Sequence, residues 1–410
     1  MKKIKICRIT DSFPPPWTGL APATYELSAA QARIGCEVHV IAKYTKGCKT
    51  VDQMAPFTVH RIRGKLILFE IMAFFKLISL NRKYNFDILH SHGSSFFFFH
   101  VLRKFFPKYW IFEIPLFVSV HNIREYQDKI YREADFFSIA ENILNTKLDN
   151  LREKKHKMLK RHIWQRIKQR ISYKDADYLL PVSNSLKKAL IQTYSINPQK
   201  IYILYNGVSS FVLKQSTKNI KCNFTEKNRL LFVGRTIGTK NEVALLKALP
   251  AILKSCPDTN LTIIGDGYWH DTLKQVAKKL GIEQYVTFLR HVPHKEIVTY
   301  YKNANVFVFP SFSEGLPKVV LEAMACGLPV VASNVDGNNE LVIDGYNGYL
   351  IDPYNIDDMV EKVVHLLKNK ELAIKMGQNG RDIVLKSFTW DNIAKLCNEY
   401  YNNCLSVIKD

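Results

Sequence analysis

Short apolar runs that end in a glycine- or proline-bearing turn and give way to helical spacing recur along this chain, on both sides of one polar stretch. In the first half, 4–9 reads as a strand and ends in Asp11-Ser12-Phe13-Pro14-Pro15-Pro16-Trp17-Thr18-Gly19. A helix over 23–33 then stops at Gly35, and the strand 37–42 follows. Strand, glycine-containing loop, helix and strand form a βαβ unit, which builds a parallel sheet with helices on both faces. Further strands are predicted at 59–62, 88–90, 117–121, 178–182 and 200–204. Residues 209–227 lack periodicity and carry Lys, Ser, Thr and Asn, so they read as a linker. The pattern then restarts, with strands 229–233, 260–264, 286–289 and 306–309 alternating with helices 243–255, 271–280 and 295–302, and helices 356–368 and 390–408 beyond. The expected class is α/β, with two Rossmann-like, doubly wound domains. Such sheets bind ligands outside the carboxyl ends of their strands, and a pair of them offers a central cleft.

Composition bounds the partners. The chain is 47% hydrophobic and 23% charged, which are globular values. Its basic excess is lopsided: 1–210 carry 34 Lys/Arg and 16 Asp/Glu, whereas 211–410 carry 24 and 21. A charge serving only solubility would be spread more evenly, so the first half is expected to face something anionic. The greasiest segments are broken by Glu70 and Lys76, and by Arg103, Lys104, Lys108 and Glu113. Neither reaches the roughly 18 uncharged apolar residues of a spanning helix, so an integral membrane protein is not expected. The eight cysteines show neither CxxC nor zinc-finger spacing, and Lys5 and Arg8 interrupt the apolar N-terminal stretch. Both features predict a reducing cytosol rather than secretion.

From 123 to 172 the pattern turns helical and highly charged, and 147–174 hold eleven Lys/Arg against two acids. Leu148, Leu151, Met158, Leu159, Ile163, Ile167 and Ile171 recur there at helical spacing, with Trp164 beside them. One reading is a solvated insertion with a basic outer face. The other is a helix lying on an anionic membrane or gripping an anionic acceptor through Lys154, Lys155, Lys157, Lys160 and Arg161. No nucleic-acid recognition module accompanies the charge.

The stretch 306–350 holds the sharpest chemistry. Its strand breaks at Pro310 into Ser311-Phe312-Ser313-Glu314-Gly315, and a helix is predicted from Pro317 to its stop at Gly327. Val319, Val320, Leu321, Ala323, Met324 and Ala325 make that helix apolar, with Glu322 in the middle of its buried face. A lone buried carboxylate is costly unless something pairs with it. Glu314 lies eight positions earlier, so either both acids serve a ligand or the structure pairs them internally. A second cluster is Gly234-Arg235, a short turn, Lys240 and a helix. Helix N-termini accept phosphate, and two flanking cations would add charge-assisted contacts to a diphosphate. Gly265-Asp266-Gly267 reads as a tight turn. His90, His92 and His100 lack a carboxylate or cysteine to complete metal-ligand spacing. Asp175-Ala176-Asp177 precedes an apolar strand instead of following one, and it reads as a turn. His121, at a strand end, fits a core or a cleft equally.

Taken together, these stretches resemble family 4 of the glycosyltransferases, the retaining enzymes of GT-B fold. The segments that carry the resemblance are SFSEGLPKVVLEAMACGLPVVAS, VGRTIGTK, YNGV, PVSNSLKKAL and DGYNGYLIDP. The resemblance implies an acceptor-side domain over 1–208 that includes the basic region 123–174. A linker at 209–227, a nucleotide-sugar domain over 228–386 and a C-terminal helix at 387–410 crossing back to the first domain would follow. Glu322 would hold the ribose hydroxyls of a nucleotide-sugar, a UDP-sugar being favoured. Glu314 would lie at the hydroxyls of the transferred hexose or N-acetylhexosamine, with Gly315, Leu316 and Pro317 placing backbone N–H groups by sugar and phosphate. Arg235 and Lys240, after Gly234, would neutralise the departing diphosphate without a metal, so the nucleotide-sugar is a co-substrate and no cofactor is expected.

His121 would stand near the reacting centre. Gly19 would approach phosphate, although Leu20 replaces the family's second glycine. Asn338-Asn339-Glu340 likewise departs from the usual Ile-Pro-Glu. The acceptor implied is a saccharide, lipid-linked in surface polysaccharide synthesis, reached from the cytoplasmic face of an anionic membrane. Two rivals stay open from the sequence. One is a GT-B enzyme of other chemistry, an epimerase or phosphorylase. The other is a non-enzymatic basic protein that binds membrane or nucleic acid.

Overall fold

The computed structural model describes residues 3–407 apart from 18, 55, 65–66, 134–136 and 217–226. The chain gathers into two compact units: one holds 1–126, 161–207 and 389–410, the other 127–160 and 208–388. The stretch 127–160, read from sequence as part of the first half, therefore clusters with the second unit.

In the first unit, the strands are β1 (Lys5–Thr10), β2 (Glu37–Lys43), β3 (Val51–Met54), β4 (Phe57–Ile62), β5 (Ile88–His92), β6 (Leu116–Val120) and β7 (Tyr178–Pro181). They form one sheet in the order β3-β4-β2-β1-β5-β6-β7, parallel except for β3, which runs antiparallel to β4. The register sets Ile6 opposite Val38 on one side and Ile88 on the other. Residues 6–10 are buried throughout, as a strand covered on both faces requires. Helices α1 (Ala21–Arg33), α2 (Ile67–Tyr84) and α3 (Phe97–Phe105) connect the early strands. The predicted strand 200–204 instead makes one bridge to β7, through Leu179 and Ile201, after a single 3-10 turn at Pro198–Lys200.

The charged region is three helices rather than one: α4 (Arg124–Glu133), α5 (Ser138–Leu144) and α6 (Asp149–Asp175). Asn145, in the left-handed region with φ +51°, stops α5. Next come α7 (Asn184–Tyr194), capped by the Ser183 side chain, and α8 (Ser210–Ser216), which lies in the predicted linker. A helix forms there because Val212 and Ser216 find cover in the second unit; 217–226 lie outside the described residues.

The second unit's strands are β8 (Asn228–Val233), β9 (Thr259–Ile264), β10 (Val286–Leu289), β11 (Val306–Phe309), β12 (Val330–Ser333) and β13 (Gly348–Ile351). Their order is β10-β9-β8-β11-β12-β13, all parallel. Helices α9 (Glu242–Ser255), α10 (His270–Lys279), α11 (His294–Asn303), α12 (Lys318–Ala325), α13 (Ile356–Lys368) and α14 (Lys370–Ser387) belong to this unit. The last helix, α15 (Trp390–Val407), belongs to the first unit and packs on α1. Trp390, Ile393, Cys397, Tyr401 and Cys404 join Ile6, Leu27, Val38 and Ile88 in one buried cluster. At the end of YNGV, a Cβ on Gly207 would lie 2.7 Å from the Trp390 ring, so only glycine fits there. No helix among the described residues is long and apolar enough to cross a membrane, and no disulfide joins the described cysteines.

Candidate active site

In the second unit, β8 and β11 are neighbours from which the sheet is built in opposite directions, β9 and β10 to one side and β12 and β13 to the other. A crevice opens at such a switch point, outside the carboxyl ends of the strands. β8 runs out into Gly234-Arg235, and β11 into Pro310-Ser311 and the turn that carries Glu314.

Two glycines support the first of these turns from behind. A Cβ on Gly265 would lie 1.7 Å from the Gly234 carbonyl oxygen, and one on Gly267 would lie 2.0 Å from that of Thr236. Gly265 also adopts φ +154°, so the turn after β9 needs glycine to press its backbone against the turn after β8. Thr236 N–H donates to the Asp266 carbonyl (3.2 Å), and Trp269 N–H to that of Thr236 (3.1 Å). The tight turn read from the sequence is thus the backing of the Arg235 loop.

The loops after β8 and β11 are tied directly, as Phe312 N–H donates to the Thr239 carbonyl at 2.9 Å. This brings the Lys240 ammonium to 2.5 Å from Glu314 Oε1, with both side chains largely covered. The ammonium also stands 5.6 Å from the centre of the Phe309 ring. Arg235 is exposed, and among the described residues no partner engages its guanidinium. Behind Glu314, Gly337 (φ +83°) packs so closely that a Cβ would lie 2.7 Å from the Gly315 carbonyl oxygen. Asn338, fully buried, donates from Nδ2 to the Ser333 carbonyl (3.0 Å) and to Ser311 Oγ (3.3 Å). The departure from the family pattern at Asn338 therefore braces the Glu314 turn.

The sequence left open whether the two glutamates serve a ligand or are paired internally, and in this structure each has an internal partner. Glu322, on α12, is half-buried rather than fully enclosed. It accepts from the buried Tyr301 hydroxyl of α11 at 3.2 Å. Burial pushes the Tyr301 phenol well above its ordinary pKa, and the Glu322 carboxylate adds to the rise. Lys318 sits one helical turn before Glu322, the spacing at which side chains meet. Burial lowers its ammonium's pKa, and the Glu322 charge opposes that. Pro317, the cap of α12, has no N–H to give. The backbone donors left at this end are those of Gly315, Leu316 and the first turn of the helix. Sequence reasoning missed both residues: Tyr301 carries no site signal, whereas the four-residue spacing of Lys318 and Glu322 could have pointed to Lys318.

One further acid lies in the phosphate-type turn. Glu242, the first residue of α9, is fully buried and accepts from Ile237 N–H at 3.2 Å, while its Oε2 has no hydrogen-bond partner. Burial raises its pKa to about 7, against the opposing pull of nearby backbone N–H groups and of Lys240.

Gly19 and His121 belong to the first unit. Gly19 lies in the loop after β1 with φ +61°, and a Cβ there would meet nothing within 4 Å. His121 follows β6, its Nε2 3.2 Å from His92 Nδ1. The rings of His90, His92 and His121 stack in succession, with centroids 4.9 Å and 5.5 Å apart. His90 bonds to Ser119 Oγ (2.6 Å) and the Tyr401 hydroxyl (2.5 Å). Burial, with Arg8 among the neighbouring charges, drives the pKa of His90 and His92 well below the ordinary histidine value. His92 and His121 line a small pocket with Ser119, Asn206 and Trp390.

Asp175 pairs with His100 at 2.8 Å, and Asp177 grips Arg103 with both oxygens (2.8 and 3.1 Å), so the DxD triplet clasps α3 within its unit. Lys154, Lys155, Lys157 and Lys160 lie on the first half of α6, in the second unit. Lys157 pairs with Glu153 and Lys155 stands over the Phe137 ring, and the Arg161 side chain lies outside the described residues.

Two parallel-sheet α/β units, with loops converging on a switch point in the second, are the GT-B glycosyltransferase arrangement of secondary structure. The sequence matches the family described as Glycosyltransferase Family 4 over residues 17–210 and the one described as Glycosyl transferases group 1 over 214–383. The chain belongs to family 4 of the glycosyltransferases. Among curated relatives, it is 31% identical over 227 residues to the uncharacterized glycosyltransferase MJ1178 of Methanocaldococcus jannaschii, covering 55% of this chain and 60% of that one. It is 36% identical over 165 residues to a GDP-mannose-dependent alpha-(1-6)-phosphatidylinositol monomannoside mannosyltransferase of Mycolicibacterium smegmatis, covering 38% and 43%. The matches thus span about 60% or less of these relatives' lengths. Sucrose-phosphate synthase of Thermosynechococcus elongatus shares the fold with TM-score 0.71 at 19% identity, over 99% of this chain and all of that one. HepE of Anabaena, solved with UDP and glucose, does so with TM-score 0.69 at 19% identity, over 98% and 100%.

Proposed function

We propose that this chain transfers a hexose or N-acetylhexosamine from a nucleotide-sugar to an acceptor hydroxyl with retention at the anomeric carbon. The observation that carries this is the switch point of the second unit, where the turn bearing exposed Arg235 and Lys240 is tied to the turn that bears Glu314 and leads into α12 with Glu322. Glu322 takes the ribose hydroxyls, Glu314 the sugar, and Arg235 and Lys240 the diphosphate, with N–H groups of Gly315 and Leu316 alongside. Lys240 has to exchange part of its bond to Glu314 for phosphate, which frees a carboxylate oxygen for a sugar hydroxyl. In the chemical step the acceptor oxygen bonds to the anomeric carbon as the carbon–phosphate oxygen bond breaks. The acceptor proton passes to the leaving phosphate, and the two cations stabilise the charge that develops on it without a metal. His121 and Gly19 are the first unit's candidates for sugar and phosphate.

A UDP-sugar is the proposed donor, in line with the UDP-bound neighbour, and the acceptor is a lipid-linked saccharide. The working place is the cytoplasmic face of an anionic membrane, with the lysines of 154–160 and Arg161 contributing charge. Nucleic acid has no part in this reading.

Slow donor hydrolysis across a panel of UDP- and GDP-sugars tests the donor class. Turnover of GDP-mannose alone would move the assignment to guanine nucleotides, and hydrolysis of none would remove it. Glu322→Ala is expected to weaken donor binding by calorimetry roughly tenfold or more, the scale of a lost hydrogen bond to a charged group. Tyr301→Phe should produce a smaller effect in the same direction. Unchanged affinity in Glu322→Ala would reject the ribose role.

A further inference from the structure

Eleven of the twenty exposed large apolar side chains among the described residues come from three short stretches of the first unit, and those stretches touch one another. On α2, the solvent side reads Ile67, Leu68, Met72 and Phe75, the last 61% exposed, so this helix turns one apolar face inward and another outward. At the end of α3 stand Phe105 and Phe106, exposed by 73% and 61%, followed by Tyr109 and Trp110. The second half of α6 adds Ile163, Trp164 and Ile167. Trp164 meets the Phe97 ring of α3 at 5.9 Å, and Lys168, which stands over that same ring, pairs with Glu70 of α2. Phe74 holds the other side together, 5.9 to 6.0 Å from Phe75, Phe98 and Phe112. An apolar surface of this extent, on a unit with a complete core of its own, is built to be covered.

Charge selects the occupant. Residues 67–113 and 161–174 contain eleven Lys/Arg and three acids. Two of the acids are engaged inside the unit, Glu70 by Lys168 and Phe98 N–H, and Asp87 by Lys5 N–H. Lys104, Lys108, Arg170 and Lys174 are exposed among the apolar residues. A second copy of the chain would bring the same positive charge against itself. A bilayer with anionic headgroups supplies both requirements, hydrocarbon for Phe and Leu and counter-charge for Lys and Arg. Trp and Tyr prefer the boundary between the two.

We infer that α2, the 105–110 segment and the second half of α6 form an apolar surface by which the first unit inserts shallowly into an anionic bilayer. This deepens the membrane-acceptor reading above by moving the contact from the lysines of 154–160 to an inserted apolar face on the other unit.

Flotation of the full chain with phosphatidylglycerol–phosphatidylcholine vesicles, at low and high salt, tests it. Wild-type protein is expected to float, to keep part of its binding at high salt, and to bind pure phosphatidylcholine weakly. Leu68→Ser/Phe75→Ser/Trp164→Ser should lose roughly tenfold or more in partitioning, because the inserted apolar area drives this mode of binding. Lys154→Ala/Lys155→Ala/Lys157→Ala should lose only salt-sensitive binding. Thermal melts confirm that each variant folds. A folded apolar variant that floats like wild type overturns the inference, as does a wild type that ignores the vesicles. Concentration-dependent dimerisation by ultracentrifugation, abolished by the apolar variant while vesicles are ignored, would reassign the face to a second copy. Hydrolysis of a soluble nucleotide-sugar, measured on the same samples, separates failure here from failure of the transferase reading.

Discussion

Replacing Arg235 and Lys240 together by alanine is expected to remove turnover while leaving the second unit folded. Both cations flank the place where leaving-group charge develops, and a transition-state donor of this kind is worth about 10²–10³ in rate. The pair should therefore cost roughly 10⁴-fold or more. Each position fails for its own reason. Arg235 is exposed and free of partners among the described residues, so its loss removes a ligand contact and disturbs little else. Lys240 is clipped to Glu314, so removing it also leaves a largely covered carboxylate without its counter-ion. Adding Glu314→Gln to Lys240→Ala should recover stability without recovering turnover, which separates the folding effect from the chemical one. Rates of donor hydrolysis and thermal melts of the single, double and combined variants provide the check. Wild-type-like kinetics in the double variant would sink the site.

Glu242 gives the second large effect, on stability. Its pKa in the folded protein is about 7, against an ordinary 4.5, so folding favours the protonated acid. Between those values the folded chain binds more protons than the unfolded one. The benefit is fully present below about 4.5 and is lost as pH rises through about 7. The difference corresponds to roughly 3 kcal/mol at alkaline pH. Glu242→Gln, which keeps an acceptor for Ile237 N–H, should therefore match wild type near pH 4.5 and exceed it by about that amount at pH 8. Denaturant unfolding of both proteins across this range reads the effect, and parallel curves would reject it. Since Glu242 opens the helix that follows Lys240, the same titration should alter how firmly the turn is held when phosphate arrives.

Most strands were legible where an apolar run met a glycine or proline turn, because a parallel strand buried on both faces needs side chains of one kind throughout, but the same pattern at 200–204 yields only a single bridge. The helix after Glu314 was legible for a similar reason, with Pro317 and Gly327 bracketing it. What escaped is long-range. His90 and Tyr401 are 311 positions apart and share a hydrogen bond. Gly265 looked like any tight turn until the Gly234 carbonyl was found against it. The Lys240–Glu314 pair joins two motifs that were each readable alone, but spacing could not reveal that they neutralise each other. Helical periodicity suggested one long charged segment, and it did not show that 127–160 cluster with the second unit.

The position of α15 bears on how the chain is made. Its Trp390, Cys397 and Tyr401 complete the core that Ile6, Leu27 and Val38 begin. Domains commonly fold in the order in which the ribosome delivers them. Here every residue of the second unit has been synthesised by 388, while the first unit still waits for its closing helix. The unit that supplies the earlier strands is thus the later to finish folding. Until α15 arrives, the apolar side of α1 that packs on it lacks its native cover.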